Sequence, residues 1–181
     1  MKRIMLTILL AGFIVAPAWA HDDRSHKADD AAPRGYVLKP GEGEDAIGDR
    51  SSLIKASPKT GTQGAVLVVD ENRVPPGDTS GIHLHLRADE FFYVLEGTGR
   101  MLIGKKEHEI SAGDTIFVPL GTDHRVTSSK DDPLRVIFLV DRPGLDEQFR
   151  LEATKVDRTK MTVDEFNAII GKYGTIYKTF D

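Results

Sequence analysis

The chain has 181 residues, with 24 Lys plus Arg against 28 Asp plus Glu, a formal net charge of −4, and no cysteine. A mildly acidic balance without a basic patch excludes nucleic acid as an expected partner. The lack of cysteine excludes a disulfide framework and a lipid anchor built on a modified cysteine.

In chain order, the first signal is Lys2-Arg3, then the almost wholly apolar run Ile4 to Val15, then Ala18-Trp19-Ala20. A basic start, a short apolar stretch and a small-x-small site read as a secretory signal peptide over residues 1–20, cleaved after Ala20. The run is too short to span a bilayer comfortably, so no stable membrane anchor is expected. The exported product would be periplasmic or fully secreted. Removal of residues 1–20, Lys2 and Arg3 among them, leaves 161 residues with a charge of about −6, enough for one domain with a proper core. Cleavage would make His21 the new N-terminus. The Asp22-Asp23-Arg24-Ser25 that follows it offers no preorganised copper pocket, and residues 21–35, with His26, read as a flexible polar leader.

Tyr36-Val37-Leu38 reads as a short strand before the Pro40-Gly41 turn, and Leu53 to Ala56 as another. Ala65 to Val69 is a continuous apolar run, stopped by Pro75-Pro76-Gly77. Short strands then follow at 81–86, 90–95, 98–103, 107–110, 115–118, 124–128 and 134–140. Gly97, Gly104, Gly113 and Asp131-Asp132-Pro133 punctuate them. Many short antiparallel strands with glycine-rich turns predict an all-β sandwich or barrel. Past Arg142-Pro143-Gly144 the pattern turns helical. Thr162 with Glu165 forms a capping box, and Val163, Phe166, Ile169, Ile170 and Tyr173 recur at helical spacing before Gly174. That stripe suits packing against the barrel or a dimer contact. The barrel is assigned to residues 36–150, and a C-terminal extension with a helix to 151–181.

The chemistry concentrates in residues 77–97, which read G-x5-H-x-H-x4-E-x6-G. On a strand, His83 and His85 point to one face, with Ile82, Leu84 and Leu86 on the other. Residues 113–124 read G-x5-P-x-G-x2-H, and His124 follows the turn marked by Pro119 and Gly121. A lone His-x-His beside a Glu is usually polar surface. The joint pattern makes His83, His85, Glu90 and His124 candidate ligands of one metal. His108, in Lys-Lys-Glu-His-Glu-Ile, reads as solvated.

These motifs resemble those of the cupins, whose first motif matches at Gly77, His83, His85, Glu90 and Gly97. The second matches at Gly113, Pro119, Gly121 and His124, with Ser128 where that family usually has Asn. Fifteen residues, 98–112, separate the motifs, which suits a compact single-domain protein. Tyr36 to Glu44, the strand at 65–69, Asp89-Glu90 and the Pro143-to-Phe149 exit look like the quercetinase-like branch. The resemblance covers roughly residues 36–175. It implies a double-stranded β-helix, or jelly roll, and a single-domain chain that pairs as a homodimer.

Three neutral imidazoles and one carboxylate suit one divalent transition metal: Mn, Fe, Co, Ni, Cu or Zn. Four protein ligands leave one or two positions open, as a reactive site needs. The expected function is a metal-dependent oxidoreductase, a dioxygenase acting on a small oxygen-rich molecule, with Glu90 as ligand and proton acceptor. A non-catalytic extracytoplasmic binding protein and a metal-assisted sugar or organic-acid isomerase or lyase are the other classes the ligand set permits. Phe92, by parity with Glu90, and Phe117 are candidates to line the cavity, or are plain barrel core.

Overall fold

A computed structural model describes residues 35–45, 52–70 and 73–180. The expected signal peptide, the expected leader up to residue 34, His21 and His26 lie outside the described residues. Among those described, no helix is long and apolar enough to cross a membrane.

The described strands are β1 (Glu44–Asp45), β2 (Ser52–Ala56), β3 (Val66–Asp70), β4 (His83–His85), β5 (Glu90–Glu96), β6 (Thr98–Ile103), β7 (Lys106–Ser111), β8 (Thr115–Val118), β9 (His124–Ser128), β10 (Arg135–Val140) and β11 (Thr175–Tyr177). Helix α1 (Leu145–Lys155) and helix α2 (Val163–Ile170) lie between β10 and β11. Two antiparallel sheets result, ordered β1-β2-β3-β10-β5-β8 and β11-β4-β9-β6-β7. This is the jelly roll the motifs imply.

Period-two alternation decides which side chains enter the core. In β5, Glu90, Phe92 and Val94 are buried while Phe91 and Tyr93 face out. In β8, Ile116 and Val118 are buried, and Phe117 is paired with Phe91 on the outer surface, their rings 5.0 Å apart. Phe117 therefore does not line the cavity, because Glu90 pairs with Val118 and puts Phe117 on the opposite parity. The inner residues of both sheets meet in one cluster: Phe92, Val94, Ile116, Val118 and Val136 from one, Met101 and Ile110 from the other. At Gly97 the chain takes φ +81, and a Cβ would collide with the Pro133 carbonyl. Only glycine lets β5 turn into β6 this close to the neighbouring loop.

Tyr36-Val37-Leu38 is exposed and forms no strand. Three residues without a neighbouring ladder cannot sustain one. Tyr36 instead donates its hydroxyl to the Lys55 carbonyl at 2.6 Å. His108, expected to be solvated, is half-buried on β7 opposite Met101.

The C-terminal stretch belongs to the barrel wall. Thr162 and Glu165 make the expected capping box on α2, and Phe166 and Ile170 are fully buried with Tyr177. Burial of a side chain such as Phe166 is worth about 2–3 kcal/mol, enough to hold so short a helix down. Asn167 of α2 then fixes β11. Its Nδ2 donates to the Tyr177 carbonyl, and its Oδ1 accepts the Tyr177 N–H, both at 2.8 Å. The assigned division at residue 150 falls inside α1.

Candidate metal centre

Strand pairing builds the site. His83 of β4 lies directly opposite His124 of β9, and on the other flank Tyr177 pairs with His83 and Thr175 with His85. The facing sheet contributes Glu90 at the start of β5. The turn of the second motif is tied to the first: Gly121 N–H donates to the His85 carbonyl at 2.7 Å, and Leu120 N–H to Asp89 Oδ1 at 2.9 Å. Ser128, at the family's Asn position, accepts from Leu134 N–H and donates to the Val74 carbonyl, so it still ties the end of β9 to two neighbouring segments.

His83, His85, Glu90 and His124 offer ligand atoms that all lie within 4.8 Å of one another. Glu90 and His124 are 3 % and 0 % exposed, so water does not compensate them. Each ring has an outer partner. His83 and His124 donate Nδ1–H to the carbonyls of Gly81, at 3.1 Å, and Thr122, at 2.9 Å. His85 Nδ1 faces the Thr175 hydroxyl at 3.2 Å. A carbonyl can only accept, so those contacts fix the proton on Nδ1 and leave Nε2 of a neutral ring as a lone pair. Such outer contacts are how ligating imidazoles are oriented.

At the centre His124 therefore presents a lone pair to Glu90, while His85, whose Thr175 hydroxyl partner can donate or accept, can turn an Nε2–H to the carboxylate. Glu90 Oε2 lies 3.1 Å from His85 Nε2 and 2.9 Å from His124 Nε2. The second contact is too far off axis for a hydrogen bond, and His124 Nε2 is buried without a hydrogen-bond partner. A buried carboxylate with no cation costs several kcal/mol, far more than any one contact here returns. A positive charge among these atoms removes the conflict. The donor set of three imidazole nitrogens and one carboxylate fits a divalent transition metal, so the four residues could hold one.

In the metal-free protein, burial first, and then the neighbouring His124, push His83 down to about 3. Burial works against ionising Glu90, but contacts from His124 and His85 outweigh it and hold the carboxyl well below its usual range. Burial likewise opposes a charge on His124, yet the Glu90 carboxylate outweighs it and raises the ring's pKa. A proton on His124 is thus the competitor of a metal.

Two neighbours gave no signal in the sequence. Thr175 orients His85, and the buried Tyr177 ring stacks on His83 with centroids 4.9 Å apart and planes inclined by 17°. Both sit on a three-residue strand after Gly174. Their alternation Thr-Ile-Tyr is a clue too short to separate from loop.

His83, His85 and Glu90 open onto a cavity of about 660 Å³. Phe92 lines it, as parity predicts, with Val126, Val136, Phe138 and Phe149. Phe138 lies 5.7 Å from Phe92 and 6.3 Å, edge-on, from Phe149, an aromatic wall beside the cluster. This volume is in the range of small-molecule sites.

The Cupin domain family matches residues 71–140. An uncharacterised protein of Methanocaldococcus jannaschii is 34 % identical over 64 residues, 35 % of this chain and 51 % of that one. Quercetin 2,3-dioxygenase of Bacillus subtilis is 37 % identical over 122 residues, 67 % of this chain and 34 % of that one. The chain thus spans about half the length of the first relative and a third of the second. The solved structure of KdgF from Halomonas sp. superposes with a TM-score of 0.43 at 23 % identity, covering 50 % of this chain and 77 % of that one.

Two outcomes are expected. Thr175→Val removes the hydroxyl that faces His85 Nδ1 and should weaken metal affinity about 10–100-fold, read by competition with a chelator; unchanged affinity would mean that Thr175 does not orient the ring. Because the imidazoles must be neutral to bind and His124 takes up its proton early, metal retained at pH 8 should be lost below about pH 6. Flat occupancy from pH 8 to 5 would count against histidine ligation.

Proposed function

We propose that this chain, a member of the cupin superfamily matched over residues 71–140, is a metal-dependent dioxygenase acting on a small, oxygen-rich aromatic molecule. The observation that carries the reading is a compact three-histidine, one-carboxylate cluster opening onto an aromatic cavity of about 660 Å³. A planar ring system can lie against Phe92, Phe138 and Phe149 while an oxygen substituent reaches the cluster. The likeness to quercetin 2,3-dioxygenase over two thirds of this chain supports the same reading.

Held by His83, His85, Glu90 and His124, a redox-capable divalent metal would supply Lewis acidity toward a substrate oxygen and a route for reaction with dioxygen. The remaining work falls to the chain. Glu90 accepts the substrate hydroxyl proton, since its carboxylate stands among the ligand atoms and the rings that hold it ionised would turn to the metal. The apolar wall excludes water from the resulting anion. Incorporation of both oxygen atoms into the substrate needs no outside reductant. We propose also that the protein works outside the cytoplasm, a reading supported by the segment from Lys2 to Ala20.

Oxygen uptake measured with polyphenols, on protein loaded in turn with each candidate metal, tests this. Consumption of one dioxygen per substrate is expected with at least one metal, and Glu90→Gln should lower its rate by about 10²-fold or more. Tight ligand binding without consumption under any loading would point to a binding protein. Product formed without oxygen would point to an isomerase or lyase.

A further inference from the structure

The cavity has a second polar wall that the metal chemistry does not use. Helix α1 and the segment after it contribute Gln148, Glu152 and Arg158 to the lining. Gln148, 1 % exposed, donates from Nε2 to Glu152 Oε1 at 2.7 Å, which fixes the carboxyl. Among the described residues the Glu152 side chain makes no other hydrogen bond. The Arg158 guanidinium rests over the rings of Tyr177, Phe180 and Phe166, at 4.8, 5.0 and 5.4 Å. Among the described residues its N–H groups meet no carboxylate and no other acceptor. A carboxyl and a guanidinium thus line one cavity without forming an ion pair with each other.

We propose that Glu152 and Arg158 form a recognition subsite for a hydroxyl group on the part of the substrate that does not bind the metal. Rings resting on the aromatic wall would span the two. The choice of hydroxyl follows from charge. A carboxylate on the ligand would be drawn to Arg158 and repelled by Glu152, and an ammonium the reverse. A hydroxyl satisfies both, donating to the carboxyl and accepting from the guanidinium. Gln148 is a positioning residue that acts through Glu152. The inference rests on the cavity being a substrate pocket, and it narrows the substrate class to aromatics hydroxylated at both ends.

The test uses the full-length mature protein loaded with zinc, which is redox-inert and isolates binding. The probes are kaempferol and galangin, flavonols with the same metal-binding oxygens that differ by one hydroxyl on the remote ring. Fluorescence titration should find kaempferol bound about tenfold more tightly or better. Glu152→Leu should shrink that preference to within about twofold, leaving galangin affinity and zinc content unchanged. Glu152→Gln, which keeps an acceptor, should preserve most of it. Equal affinities in the wild-type protein would overturn the subsite while leaving the substrate pocket standing. An undiminished preference in Glu152→Leu would overturn the role of Glu152. Binding of neither flavonol would overturn both the subsite and the dioxygenase reading. The wild-type comparison needs no variant, so it is decisive even where Glu152→Leu does not fold.

Discussion

A buried carboxylate crowded by imidazole rings is the constraint around which this barrel is arranged. Glu90 has almost no exposure, and its oxygen sits about 3 Å from two ring nitrogens. Backbone carbonyls hold the protons of His83 and His124 on the outer nitrogens, so the fold itself keeps those rings from relieving the clash by switching tautomer. Either a proton on His124 or a metal ion at the centre supplies the missing positive charge. The desolvation cost of an unpaired carboxylate exceeds the worth of single packing contacts by several kcal/mol, so the barrel core, not the apo site, must carry the fold's stability.

The rest of the molecule can be understood as support for that conflict. One sheet brings three histidines into register through the β4–β9 pairing, and the other brings Glu90. Gly81, at φ +75, lets the C-terminal segment approach to where a Cβ would stand 2.6 Å from the Thr179 carbonyl, and its own carbonyl anchors His83. Beyond β10, α2 clamps β11 through Asn167, and β11 presents Thr175 and Tyr177 to His85 and His83. A helix whose stripe reads as simple packing thus orients two rings of the cluster. Helix α1 closes the other side, so the cavity mixes an aromatic interior with a polar wall.

Most of the strand plan was legible because half-buried strands reveal themselves through alternation and glycine punctuation. The four cluster residues were legible because their spacing encodes two strands and a turn. What escaped depends on pairing partners that spacing does not reveal. Parity within β8 alone leaves open whether Phe117 faces in or out; its register against Glu90 decides. Tyr36 to Leu38 has the composition of a strand and no ladder to join. Thr175 and Tyr177 occupy three residues, below the length at which period two can be recognised, and their meaning comes wholly from the strand beside them. Helix α1 has a weak apolar pattern, since one flank faces a cavity and carries Gln148 and Glu152 where a core helix would carry aliphatic residues.

The central claim is that three imidazole nitrogens and one carboxylate oxygen converge on a single cation. X-ray absorption spectroscopy of the metal-loaded protein reads that coordination directly. The account predicts three imidazole nitrogens and at least one oxygen at about 2.0–2.2 Å for a zinc-loaded sample, with the multiple-scattering signature of the rings. A shell of oxygens alone, without imidazole scattering, would contradict it.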